Sequence, residues 1–262
     1  MTLRHLLFRI TRIPYAIGTP TPTILILGHM RSGSTLLLHL LMADSRIIGC
    51  GERNTAYRTA LDLDKLELAA RFAARAPLRR LRYTVDQINH DRFTPNLGLL
   101  TGERVRRIFL IRRPVVAIRS ILDLTRDHYT PWTLEQAIDY YARRLRTLAA
   151  MAASDPERAV GIRFEDLVGT PGPTLERLTR FLGLTRPLGE HYPVQPFTGR
   201  RGDPSPVIGA GRIIRDAPEP GLEVEPSRLG EAVEAYAACD AAVSRLWAGG
   251  AQGHTEARSE AR

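Results

Sequence analysis

The feature that most constrains the fold is a glycine loop between two apolar runs, in the sequence TILILGHMRSGSTLLL of residues 23–38. A β-branched and leucine run ends at Gly28, and apolar sequence resumes at Leu36. This order predicts a strand, a loop and the first turn of a helix, where backbone N–H groups converge on an anion. Gly28 and Gly33 stand five residues apart, as the glycines of a Walker A loop do. A phosphate-like ligand is therefore predicted at this corner.

The loop lacks the lysine that follows the second glycine of a Walker A loop. Ser34 stands in that place, and the nearest cation is Arg31. Because that lysine reaches the β- and γ-phosphates in NTPases, γ-phosphoryl transfer is poorly supported here. A 5′-phosphate group could still be held, and the residues predicted to hold it are Arg31, Ser32, Gly33, Ser34 and Thr35. The simpler alternative is a strand–turn–helix corner in which glycine only permits a tight turn.

The composition is that of an ordinary globular protein, with 262 residues, 44% of them hydrophobic and 25% charged. Lys65 is the only lysine, so arginine carries the formal net charge of +9, which favours anionic ligands. Cys50 and Cys239 lie too far apart in sequence to suggest a disulfide framework or a metal site. No apolar run is long enough to span a membrane, and the N-terminus does not read as a signal peptide. We therefore expect a soluble, cytoplasmic protein.

Strand and helix patterns alternate along the chain. Strands are predicted at residues 23–27, 47–49, 105–111 and 159–164, and the stretch 83–93 is ambiguous, with room for a short strand. Helices are predicted at residues 35–43, 61–82 with a break near Pro77, 115–124, 134–153, 174–182 and 226–246, whereas 184–222 shows no element. The alternation predicts an α/β fold, a single P-loop-containing domain with a mostly parallel sheet flanked by helices on both faces. This domain would cover residues 23–248, between an N-terminal arm (1–22) and a disordered tail (249–262).

Two predicted strands end in residues suited to ligand chemistry, at the sheet edge where open α/β sheets bind ligands. Arg112 follows strand 105–111, and its guanidinium can contact a phosphate in a bidentate manner, with Ser120 available to the same group. Glu52 follows strand 47–49 and lies near the anion loop if that strand neighbours strand 23–27. The simpler alternatives are a surface arginine with a helix serine, and a surface glutamate.

Four motifs, in this order along the chain, resemble those of sulfotransferases that use 3′-phosphoadenosine 5′-phosphosulfate (PAPS). HMRSGSTLL is similar to the RSGST form of their 5′-phosphosulfate loop, and GCGE at 49–52 resembles the CGE segment of protein-tyrosine and several bacterial sulfotransferases. The segment from Arg112 to Ser120 resembles their 3′-phosphate segment. FEDL at 164–167, followed by FLGL at 181–184, resembles their YEDL and FLGL stretch. The resemblance covers about residues 23–184.

This resemblance implies a role for each motif. Glu52 would be the general base that removes the acceptor's proton, a contribution of typically ~10²–10⁴-fold. Arg31 would stabilise the sulfonate and the departing 5′-phosphate. Arg112 and Ser120 would hold the 3′-phosphate. Phe164 replaces the family's tyrosine, which removes a hydroxyl and leaves stacking on the nucleotide.

The chain departs from the family near the transferred group, where relatives often carry a lysine. Gln87, His90 and Arg92 are the candidates to replace it, and His90 is the one expected to titrate near neutrality, which makes it a catalytic candidate. A histidine in a loop is otherwise ordinary polar surface. Arg200 and Arg201 loosely resemble the late loop that closes over the nucleotide in cytosolic sulfotransferases.

The predicted function is PAPS-dependent transfer of a sulfuryl group to a hydroxyl of a small-molecule or carbohydrate acceptor, by in-line displacement and without a metal. One alternative is a P-loop kinase of a small metabolite that uses ATP and Mg²⁺. Another is a nucleotide- or nucleic-acid-binding protein, although 6% aromatic residues provide few stacking platforms. We expect no specific nucleic-acid partner and no membrane span. A homodimer through helix 134–153 or the terminal helix is left open.

Acceptor specificity is expected in residues 53–100 and 125–135, which contain several aromatic side chains. These side chains could equally belong to the core. They are Tyr57, Phe93, Tyr129 and Trp132.

Overall fold

A five-stranded parallel sheet forms the centre of the computed structural model, which describes residues 20–154, 156–199, 206–216 and 223–249. Its strands are β1 (Thr23–Leu27), β2 (Ile47–Gly49), β3 (Tyr83–Ile88), β4 (Val105–Ile111) and β5 (Ala159–Arg163). Their order across the sheet is β2-β3-β1-β4-β5, and every pairing is parallel. The predicted mostly parallel sheet is therefore confirmed, and the ambiguous stretch after residue 82 contains its third strand.

Helices connect the strands and cover both faces of the sheet. They are α1 (Ser34–Leu41), α2 (Ala60–Ala73), α3 (Leu97–Leu100), α4 (Pro114–His128), α5 (Leu134–Ala153), α6 (Phe164–Gly169), α7 (Pro171–Phe181) and α8 (Gly230–Gly249). Short 3₁₀ turns lie at Asp91–Phe93, Pro206–Ala210 and Pro226–Leu229. In the described ranges, no helix has the length and apolar character needed to cross a membrane.

Alternate residues of the central strands enter two hydrophobic cores, as the period of a strand requires. Leu25 and Phe109 face the core shared with α4, α5 and α8, whereas Ile26 and Ile108 face the core shared with α1 and α7. Burial on both faces explains why β1 is a continuous apolar run without polar alternation. The sheet is thus a rigid platform for the loops at its carboxyl edge.

Helices α5 and α8 pack against each other in the first of these cores. Helix α8 also approaches β5 closely, since a Cβ added at Gly161 would lie 2.2 Å from Val243 Cγ1. Only glycine permits this approach. The apolar faces of α5 and α8 are therefore used for packing inside the chain. A homodimer formed by either helix would have to use its other faces.

Local chain geometry differs from the sequence predictions in three places. The helix predicted over 61–82 ends at Ala73, and Arg75, just after it, adopts a left-handed conformation with φ 49°. The Arg71 side chain holds the following loop by donating hydrogen bonds to the carbonyls of Pro77 and Arg79. Phe164 begins α6 instead of ending a strand. The stretch 184–222 contains the Pro206–Ala210 turn and a β-bridge between His191 and Arg212. The predicted arm and tail lie almost entirely outside the described residues.

Candidate active site

The loop between β1 and α1 has the backbone geometry of an anion-binding turn. Arg31 and Gly33 both adopt left-handed conformations, with φ 64° and 90°. A Cβ at Gly33 would lie 2.3 Å from Phe164 Cδ2, so conformation and space both demand glycine. Helix α1 starts directly after Gly33, and its first N–H groups have no partner within the helix. These amides and the positive end of the helix dipole create a site suited to a phosphate or sulfate group.

A cleft of about 360 Å³ opens over this loop. It brings together predicted site residues from three separate segments, namely the anion loop, Glu52 and His90. The cleft is lined by Met30, Arg31, Gly33, Ser34, Thr35, Glu52, Asn54, Asn89, His90, Arg92, Leu124 and Tyr129. Ser32 is not among them. Its side chain is fully buried, and a Cβ at Gly28 would lie 2.6 Å from its Oγ, so the Ser32 hydroxyl lies beneath the loop.

Glu52 reaches the cleft by a different route from the one predicted. Strand β2 pairs with β3 and not with β1, so β3 lies between Glu52 and the anion loop. Asn89, directly after β3, spans this gap by donating from Nδ2 to Glu52 Oε1 at 3.3 Å. Burial raises the pKa of Glu52, and the Asn89 hydrogen bond and the charge of Arg92 oppose that rise. A half-buried carboxyl with a raised pKa is a stronger proton acceptor than a free one.

The predicted 3′-phosphate residues converge on the far side of the anion loop. Arg31 donates from Nε to Ser120 Oγ at 2.7 Å, and Arg112 donates from a terminal nitrogen to the carbonyl of Arg31 at 3.2 Å. The Arg112 guanidinium lies 4.1 Å from the centroid of the Phe164 ring. Arg112, Ser120 and Phe164 thus meet at Arg31 and Gly33. Arg200 and Arg201 lie outside the described residues.

His90 is neutral at neutral pH, which corrects the expectation that it titrates there. Burial, followed by the charges of Arg92 and Arg144, lowers its pKa to about 4. Gln87 is buried as well, and its Nε2 donates to Thr35 Oγ1 at 3.3 Å. Of the three candidates to replace the family's lysine, only Arg92 therefore brings a positive charge to the cleft wall.

Three residues of α5 hold the edge of the site, and sequence reasoning missed all of them. Tyr140 accepts a hydrogen bond from the Met30 N–H at 2.8 Å and donates to the Asn89 carbonyl at 2.6 Å. Tyr141 donates to the Arg112 carbonyl at 2.5 Å. Arg144 is fully buried and donates to carbonyls at the ends of β1 and β3 and to the Asp91 carboxylate, so it joins two strands. The available signal was the presence of polar residues on the apolar face of this helix.

His29 lies in the loop after β1, was not singled out from the sequence, and joins the two predicted phosphate segments. Its Nδ1–H donates to the Met30 carbonyl at 2.7 Å, and its Nε2 accepts the Arg112 N–H at 3.2 Å. Burial lowers its pKa to about 3, so it remains neutral in this role. The position of Arg112 relative to the anion loop is therefore fixed by a buried imidazole.

The aromatic residues predicted near the acceptor separate into cleft and core. Tyr129 lines the cleft, whereas Tyr57 is fully buried and donates to Asp86 Oδ2 at 2.5 Å. Trp132 packs against the Tyr140 ring, with centroids 5.6 Å apart, and Phe93 lies beneath the Arg92 guanidinium at 4.6 Å. Tyr129 is thus the aromatic residue of this set that an acceptor would meet in the cleft.

Comparison with known proteins agrees with this architecture. The family model described as Sulfotransferase family matches residues 104–187, a segment that includes Arg112, Ser120 and Phe164. A sulfotransferase domain from the Synechococcus PCC 7002 olefin synthase is similar in structure, with a TM-score of 0.56 at 18% identity, over 86% of this chain and 95% of that one. No curated protein matches the sequence significantly.

Two further solved structures share the fold. A sulfotransferase domain from the curacin biosynthetic pathway has a TM-score of 0.51 at 17% identity, over 84% of this chain and 97% of that one. A sulfotransferase from Alicyclobacillus acidocaldarius has a TM-score of 0.51 at 16% identity, over 88% and 97%. Over residues 104–187 the chain is similar to the sulfotransferase family, and it shares the fold of these solved structures.

Proposed function

We propose that this chain transfers the sulfuryl group of PAPS to a hydroxyl of a small-molecule or carbohydrate acceptor. The observation that carries the proposal is the cleft, because it holds the Glu52 carboxylate and the cationic anion loop around one space. A base and an oxyanion-stabilising loop are the two groups that sulfuryl transfer to a hydroxyl needs. The sulfotransferase family match favours this reaction over kinase chemistry.

The residues around the loop fit such a donor. Gly33 lets the loop take its left-handed turn and lets the Phe164 ring pack directly on the loop backbone, since the ring fills the space that a side chain would need. The α1 amides and the side chains of Ser34 and Thr35 would bind the 5′-phosphosulfate. Arg112 and Ser120 would bind the 3′-phosphate, and Phe164, already stacked with Arg112, would contact the nucleotide.

In this mechanism Glu52 accepts the proton of the acceptor hydroxyl as its oxygen bonds to sulfur. The bond between sulfur and the 5′-phosphate oxygen breaks on the opposite side. Arg31 and the loop amides stabilise the negative charge that the phosphate gains. His90, being neutral, can donate or accept a hydrogen bond at the cleft wall but adds no charge.

Calorimetric titration with adenosine 3′,5′-bisphosphate, run beside ATP with Mg²⁺, tests the donor. We expect the bisphosphate to bind preferentially and Arg112→Ala to weaken it about 10- to 100-fold, the effect of losing hydrogen bonds to a charged group. Arg113→Ala is the matched control, because the exposed Arg113 uses its backbone N–H, which donates to Glu165 at 2.9 Å. Preference for ATP with Mg²⁺, or equal effects of the two variants, would contradict the proposal.

Turnover of labelled PAPS against a panel of hydroxyl acceptors tests the base. Glu52→Gln keeps the size of the side chain and removes its ability to take a proton. We expect turnover to fall ~10²–10⁴-fold while bisphosphate affinity is unchanged. Turnover at the wild-type rate would show that Glu52 is not the base.

A further inference from the structure

Asn89 lies one residue beyond β3 and forms part of the cleft wall. Only 6% of its surface is exposed. Its Nδ2 donates to Glu52 Oε1 at 3.3 Å, and within the described part of the chain this is the one hydrogen bond to the Glu52 carboxyl. The buried Oδ1 of Asn89 has no hydrogen-bond partner among the described residues. The side chain therefore contributes one directed donor, and its target is Glu52.

The backbone of Asn89 is fixed from the same helix that fixes the anion loop. Its carbonyl accepts the Tyr140 hydroxyl, whose oxygen in turn accepts the Met30 N–H. Arg144, one turn further along α5, binds the carbonyls of Gly28 and Ile88. The separation between the loop and Asn89 is thus set by one rigid element.

Glu52, by contrast, receives little support from its own segment. It follows a strand of only three residues, and the preceding Gly51 adopts φ 81°. A side chain on such a segment loses conformational entropy whenever it is ordered, and a directed hydrogen bond is what offsets that cost. The Asn89 donor also leaves the second carboxylate oxygen, Oε2, as the one free to accept a proton.

We propose that Asn89 is a positioning residue that holds the Glu52 carboxylate against the anion loop and selects Oε2 as its reactive oxygen. This inference rests on the proposed function. Asn89 acts on the reaction only through Glu52, and Tyr140 extends the connection to the loop. Helix α5 then fixes the position of the Glu52 carboxylate relative to the anion loop, across the intervening strand β3.

The test is the titration of Glu52 itself, followed by ¹³C NMR of carboxyl-labelled glutamate, with Glu52→Gln to assign the signal. Because the Asn89 hydrogen bond favours the ionised carboxylate, Asn89→Ala should raise the pKa of Glu52. Asn89→Leu keeps the branched shape and loses the same donor, so it serves if the smaller side chain perturbs the fold. The other ionisable groups that line the cleft among the described residues are Arg31, His90, Arg92 and Tyr129.

Arg92→Gln is the matched control, since Arg92 also lowers the pKa of Glu52, but by charge alone. Both variants should raise that pKa at low salt. At about 0.5 M KCl the effect of Arg92→Gln should shrink, because salt screens charges in an open cleft, whereas the effect of Asn89→Ala should persist. An unchanged pKa in Asn89→Ala and Asn89→Leu would overturn the inference.

Kinetics separate a positioning role from a merely structural one. We expect kcat to fall about 10²-fold in Asn89→Ala, as for a misplaced catalytic group, with KM for PAPS unchanged. A rise in KM for PAPS with kcat retained would instead show that Asn89 supports the loop and not the base. The NMR titration of Glu52 does not require the protein to turn over PAPS. Failure of the proposed function, seen as Glu52→Gln at full activity, is therefore distinguishable from failure of this inference.

Discussion

Asp86 gives the chain a pH dependence of stability that can be calculated from its surroundings. The residue is fully buried in β3, where it accepts hydrogen bonds from the Tyr57 hydroxyl and from the backbone N–H groups of Arg53 and Gln87. Burial raises its pKa to about 7, against the opposing effects of those donors and of the Arg53 charge. The folded state therefore favours the protonated acid relative to the unfolded state.

The direction in which stability changes with pH follows from the linkage between protonation and folding. A carboxyl whose pKa is higher in the folded state stabilises the fold below its unfolded pKa, and that contribution is lost as pH rises through the folded value. With a folded pKa of about 7 in place of the ordinary 3.8, the free energy of unfolding should fall by about 2.5 kcal/mol between pH 5 and pH 8 from this group alone. That is a large part of the stability of a typical domain.

Urea unfolding of wild type and Asp86→Asn across this range measures the effect. The difference between the two proteins isolates Asp86, because contributions from the buried histidines are common to both and cancel. We expect the variant to gain about 2.5 kcal/mol relative to wild type between pH 5 and pH 8. Asp62→Asn is the control, since the pKa of Asp62 is lowered to about 2 and its effect is confined to acid. A wild-type–Asp86→Asn difference that is constant with pH would refute the reasoning.

Two further substitutions test the frame of the site. Gly33→Ala should cost roughly 1–3 kcal/mol of stability through its left-handed φ, as measured by urea unfolding. In a Phe164→Ala background, which removes the clash but not the strain, the same substitution should cost less, and an equal cost in both backgrounds would contradict the role given to Phe164. Arg144→Leu should cost about 3–5 kcal/mol, because it leaves the buried carbonyls of Gly28 and Ile88 without their charged donor and removes one partner of Asp91. The adjacent exposed Arg143→Leu should cost less than about 1 kcal/mol, and equal losses in urea would exclude the buried contacts as the cause.

Local signals were enough to predict much of the fold. The apolar run of β1, the buried run of β4 and the capped, strongly periodic α5 have the bounds that the sequence indicates, because each depends on residues close together in the chain. The order of the strands could not be read in the same way. The insertion of β3 between β1 and β2 is decided by pairing between distant segments, on which periodicity has no bearing.

In the candidate site, too, residues marked by a local sequence pattern could be predicted, whereas residues placed by distant segments could not. The anion loop, Glu52 and Arg112 could be selected from sequence because a glycine spacing or a strand end marks each of them. Tyr140 and Arg144 could not, since on a helical wheel they look like interruptions of an apolar face. The protonation of His90 was mispredicted because its pKa depends on burial and on cations that come from other segments.

Helix α5 holds the edge of the cleft through the main chain of its partners, and this has a consequence for altering the cleft by mutation. Tyr140, Tyr141 and Arg144 bind backbone atoms of Met30, Asn89, Arg112, Gly28 and Ile88. Backbone atoms persist whatever side chain a position carries. Combinatorial libraries at cleft positions such as 54, 124 and 129 can therefore vary the lining of the cleft while these anchors keep the anion loop and Arg112 in place.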